Sequence, residues 1–69
     1  MLSMGRSPYS HRIDRMIKDN IANEKRAIAA YNNFLAISND QKINDVIKRI
    51  ILDEEHHIKI LSMLLEDLH

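Results

Sequence analysis

Residues 43–68 read INDVIKRIILDEEHHIKILSMLLEDL. Steps of four and three from Ile43 land on Ile47, Ile50, Glu54, His57, Leu61, Leu64 and Leu68. That alternation is the inward stripe of a packed helix. It predicts a helix over about residues 42–67, with a carboxylate and an imidazole in mid-stripe, where apolar side chains belong. A Glu and a His three residues apart share one helical face and can grip the same metal ion.

The upstream half repeats the pattern. Ile13, Ile17, Asn20, Glu24, Ala27, Tyr31 and Phe34 follow in fours and threes, which predicts a first helix over about residues 10–37. Beside this seam runs a second apolar column, Ile21, Ile28 and Leu35, matched downstream by Ile51, Ile58 and Leu65. Two adjacent columns give a stripe wide enough to touch more than one neighbour, as in a bundle. Residues 1–7 have no period, include the only glycine, and read as a tail. Ser7-Pro8 is a helix start, with the serine as cap and the proline at the first helical position; Ser10 is an alternative cap. Between the helices, Ser38-Asn39-Asp40-Gln41 offers caps, including a capping box of serine followed by glutamine. So short a connection makes the helices antiparallel.

Composition narrows the function classes. A chain of 69 residues is one small domain, here a helical hairpin over residues 8–69. Below roughly 70–80 residues a single core rarely suffices without a staple or a partner. With no cysteine, neither disulfides nor thiolate zinc can serve as the staple. Ten basic residues balance ten acidic ones and are dispersed, which argues against a nucleic-acid footprint. No stretch approaches the ~20 apolar residues of a membrane span, and the start lacks the apolar core of a signal peptide. The expected location is the cytoplasm, and the expected source of stability is self-association, a metal, or both.

If the turn centres near Asn39, Glu24 and Glu54 lie level, with His57 one turn further along. An ionised carboxylate alone in a packed interior costs several kcal/mol, and two side by side repel each other. A divalent cation removes both difficulties, and carboxylate with imidazole suits iron, manganese or zinc. One hairpin supplies two Glu and one His. A homodimer about a twofold axis supplies four Glu and two His, the inventory of a di-iron carboxylate bundle. The predicted fold is therefore all-α: an antiparallel two-helix hairpin that dimerises into a four-helix bundle.

Glu24-x-x-Ala27-x-x-x-Tyr31 followed by Glu54-x-x-His57 resembles the half-repeat of the ferritin-like superfamily, of the rubrerythrin type. With one half-repeat in the chain, it is most similar to the encapsulated ferritins, two-helix chains that dimerise to rebuild a four-helix ferroxidase centre. The resemblance covers about residues 10–68. It implies Glu24, Glu54 and His57 as iron ligands, Glu54 as the bridge between ions, and Tyr31 as a neighbouring hydroxyl leaning back toward Glu24. It implies a non-haem di-iron ferroxidase that oxidises Fe(II) with O2 for storage or detoxification, with manganese or zinc as substitutes. A larger ring of dimers and an encapsulating shell protein, hence a place inside a protein compartment, are further implications. Two features depart from the family pattern. Asn23, Lys25 and Arg26 stand where encapsulated ferritins carry acids of a metal-uptake site, and the sequence stops at His69, without a carboxy-terminal docking extension. Relative to rubrerythrin, there are no cysteines for a rubredoxin-like domain.

Other readings compete. Asp53 and His56 repeat the acid-to-His spacing but fall off the seam and read as solvated, and Glu66 and His69 read as incidental. Glu54 and His57 can instead be a polar pair that sets bundle register. Asn20 reads as a register or water-binding residue beside the site rather than a ligand, and Tyr31 as either core packing or a hydroxyl near the site. The alternatives to a ferroxidase are a non-catalytic metal-binding module and an adaptor hairpin that docks another helical protein.

Overall fold

Two helices, α1 (Pro8–Ile37) and α2 (Gln41–Asp67), fold back on one another in a computed structural model that describes residues 8–68. The expected tail, the Ser7 cap and His69 lie outside the described residues. Among those described there is no strand. Neither helix contains glycine, and α1 has proline only at its first position, so nothing interrupts either backbone ladder. α1 begins earlier than residue 10, because proline's fixed φ suits the first turn. Ser10 is therefore inside the helix and does not cap it.

The turn is built differently from the expected capping box. Asp40, not Ser38, caps α2: its backbone is extended (φ −87°, ψ 109°) and its Oδ1 accepts from the Ile43 N–H at 3.0 Å. Ser38 Oγ accepts from the Asp40 N–H at 3.2 Å. Gln41 turns forward and donates from Nε2 to Asp45 Oδ1 at 2.9 Å, so it does not reach back to a cap. Asn44 Nδ2 closes the turn by donating to the Ser38 carbonyl at 3.2 Å.

The two columns of each helix exchange the roles expected of them. Ile21, Ile28 and Leu35, with Ile51, Ile58 and Leu65, are all partly buried and form the seam between α1 and α2. They share it with Ile17, Glu24 and Tyr31 on α1 and with Ile47, Glu54 and Leu61 on α2. Asp14 begins this column on α1 and Asn44 begins it on α2. Asp14 is 7% exposed, with Lys18 Nζ at 3.1 Å from its carboxylate. The other column of each helix (Ile13, Asn20, Ala27, Phe34 and Ile43, Ile50, His57, Leu64) flanks the seam, and Asn20, Phe34, Ile43, His57 and Leu64 in it are exposed.

Both flanking columns lie on the same face, because antiparallel helices present equivalent flanks to the same side of their common plane. Met16, Ile37, Val46 and Ile60, all exposed, extend that face. The opposite flanks carry His11, Lys18, Lys25 and Asn32 on α1 and Gln41, Lys48, Glu55 and Ser62 on α2. The hairpin is thus a two-helix slab with one mostly apolar and one mostly polar side. Its extents are 58 × 14 × 13 Å and its radius of gyration is 16.6 Å, against about 11 Å for a compact domain of this length. Ile17 is the one buried apolar side chain among the described residues, and α2 has none.

Candidate metal centre

Glu24 and Glu54 sit near the midpoints of α1 and α2, each in the column that borders both the seam and the open apolar face. His57 follows Glu54 by one turn and steps onto the open face. The hairpin register brings all three side chains together. His57 Nδ1 lies 3.3 Å from Glu54 Oε1 and 3.6 Å from Glu24 Oε2, and one donor atom from each residue falls within 4.8 Å of the others. The carboxylates are largely sheltered, at 23% and 19% exposure, whereas the imidazole is 53% exposed. The cluster is therefore closed toward the hairpin and open toward the apolar face.

The electrostatics follow from crowding. A hydrogen bond to Glu54 is the main cause raising the Glu24 pKa above the ordinary glutamate value. Desolvation and the like charge of Glu54 act in the same direction, and His57 opposes them. When the Glu24 carboxyl is protonated it donates to Glu54, which relieves the repulsion between the two.

The donor set fits a divalent transition-metal ion. Ligand atoms about 2.1 Å from one ion stand roughly 3.0–3.4 Å apart in tetrahedral or cis-octahedral arrangements. The contacts at 3.3 and 3.6 Å approach that spacing already. Two carboxylates and one imidazole leave coordination positions to be filled from the open side.

The remaining residues singled out by sequence fall as follows. Tyr31 is partly buried one heptad beyond Glu24, and no hydrogen bond ties its hydroxyl to the cluster among the described residues. Asn20 is exposed on the flank, on the same side as His57. Asp53, His56 and Glu66 are exposed and outside the cluster. Asn23 accepts a hydrogen bond from Arg26, so the neighbours of Glu24 pair with each other. Sequence reasoning passed over Asp14 and Asn44. The signal for both was their place seven residues before Ile21 and Ile51, as first members of the seam columns.

No protein-family model matches this chain, and no curated protein or solved structure matches it at a significant level.

Proposed function

We propose that two copies of this hairpin close their apolar faces on one another and form a ferritin-like four-helix bundle with a shared di-iron carboxylate centre that oxidises Fe(II) with O2. The observation that carries this reading is the convergence of Glu24, Glu54 and His57 at mid-length beside a mostly apolar, uncovered face. A strip ~45 Å long, from the helical rise, by 14 Å wide is on the order of 600 Å² in projection. That approaches the ~800 Å² per partner of a stable interface.

Within this reading each residue has a task. Glu24, Glu54 and His57 of one chain would together hold one substrate iron, and Glu54, central on α2 and bordering both faces, would be shared with the second. Four carboxylates from two chains balance the charge of two ferrous ions, which lets them sit among apolar side chains. Iron binding would require both carboxylates in their ionised form. Bound iron supplies the electrons for dioxygen reduction. Ile50, Ile17 and Leu61, partly or fully buried one or two turns along their helices from the cluster, would limit water, and coordination positions left open would admit O2. Manganese or zinc fits the same donors without the redox step.

Aerobic titration of the metal-free protein with Fe(II) tests the proposal. Oxygen uptake and a ferric absorbance should saturate near two irons per dimer. His57→Ala should abolish saturable binding, while His56→Ala should leave it within a factor of ~2, since His56 lies outside the cluster. Saturable binding without oxygen uptake would leave a metal-binding module. Equal effects of the two histidine variants would remove His57 from the site.

A further inference from the structure

α1 and α2 carry the same pattern at a constant offset. Ile13, Asp14, Ile17, Ile21, Glu24 and Ile28 are answered in order by Ile43, Asn44, Ile47, Ile51, Glu54 and Ile58. The hairpin therefore has an approximate twofold axis between Glu24 and Glu54. On the open face, this axis relates two cross-helix pairs that stand one on each side of the carboxylates. One pair is Ala27 with Ile50, both apolar. The other is Asn20 with His57, both polar. The internal symmetry breaks at this pair, and both of its members differ in polarity from their counterparts.

A second feature concerns the imidazole. Nδ1 is the ring atom that contacts both carboxylates, so Nε2 is the ring nitrogen left for another partner. A histidine that binds a metal through one nitrogen needs an acceptor for the N–H on the other, to fix the tautomer and the ring plane. Closing the apolar face would remove water from this N–H and from the Asn20 amide together. Each would be costly to leave without a partner. Asn20 is the polar residue of its flanking column on α1, as His57 is on α2.

We propose, resting on the metal-centre reading above, that Asn20 is the positioning residue of the site. Its Oδ1 accepts a hydrogen bond from His57 Nε2–H, which presents Nδ1 to the ion held by Glu24 and Glu54. The polar pair then has a defined purpose: it orients a ligand, and the register of the bundle follows from the apolar columns on either side.

The test uses the full chain with zinc, a diamagnetic probe for the same donors. Zinc affinity is measured by competition with a chromophoric chelator, and the His57 ring nitrogens by ¹⁵N NMR, in wild type, Asn20→Leu and Asn20→Asp. Asn20→Leu should weaken zinc binding ~10–100-fold, the usual effect of removing such an acceptor. It should also lose the slowly exchanging Nε2–H signal, while the metal-free protein melts no lower than wild type. Asn20→Asp should keep both the affinity and the N–H signal, because a carboxylate accepts the same bond. Unchanged zinc affinity and an unchanged ring signal in Asn20→Leu would overturn the proposal. If wild type binds neither zinc nor Fe(II), the metal-centre reading fails. The ring N–H in the metal-free protein then decides the hydrogen bond alone, and its insensitivity to Asn20→Leu would overturn that too.

Discussion

Glu24 holds its proton more tightly than an isolated glutamate, chiefly because the protonated carboxyl hydrogen-bonds Glu54. A raised pKa in the folded state means that the folded protein binds more protons than the unfolded chain in the interval above the ordinary glutamate range. The stabilisation from this proton is complete below the unfolded pKa and is lost as pH rises through the folded one. Glu24→Gln mimics the protonated form at every pH. In chelator, the variant and wild type should melt together near pH 4, and the variant should melt higher near pH 7. Thermal melts across about pH 4–8 check this, and parallel curves would refute it. In the proposed metal-bound form the sign would reverse: both carboxylates must ionise to bind a cation, so that form should gain stability over the metal-free form as pH rises.

The connection between the helices depends on one side chain more than the local sequence suggests. Asp40 accepts from the Ile43 N–H, and its carboxylate also favours the positive end of α2. Asp40→Ala should cost about 1 kcal/mol of unfolding free energy, and Ser38→Ala less, because Ser38 Oγ accepts only within the loop. Urea denaturation of both variants checks the order, and a larger loss for Ser38→Ala would restore the serine as cap. Ser38 and Gln41 had the spacing of a capping box, yet a side chain between them reached the free N–H groups first. Local spacing cannot rank such competitors. The seam shows the same limit. A period in fours and threes fits two adjacent phases equally well. Both were apolar here, so periodicity revealed the helices and the wide stripe but not which column faced the hairpin partner. The meeting of Glu24, Glu54 and His57 was legible because it depends on the position of the turn rather than on phase. The exposed state of His57 and Asn20 was not legible, because it depends on phase.

A slab with one buried apolar side chain among the described residues and a mostly apolar face along both helices cannot draw much stability from its own interior. Helices in proteins gain most of their stability from packing an amphipathic face, and Met16, Phe34, Ile37, Ile43, Val46, Ile60 and Leu64 are exposed on this one. In the proposed dimer a second copy covers that face, and each hairpin would supply half a ligand set at mid-length. Association and metal binding then become one equilibrium. Ions held by ligands from two chains bind the assembled state and not the separate hairpins, so metal should tighten assembly by mass action. Sedimentation equilibrium of the full chain in chelator should give a concentration-dependent mixture, or a dimer with measurable dissociation. The same samples with stoichiometric Fe(II) under anaerobic conditions should shift to dimer at concentrations at least ~10-fold lower. Changing Glu54 and His57 together to leucine should remove that shift while strengthening metal-free association, because two polar side chains leave an apolar interface. Identical association with and without Fe(II) in the wild-type protein would mean that each hairpin holds its metal alone. A double variant that no longer associates would mean that the open face receives something other than a second copy.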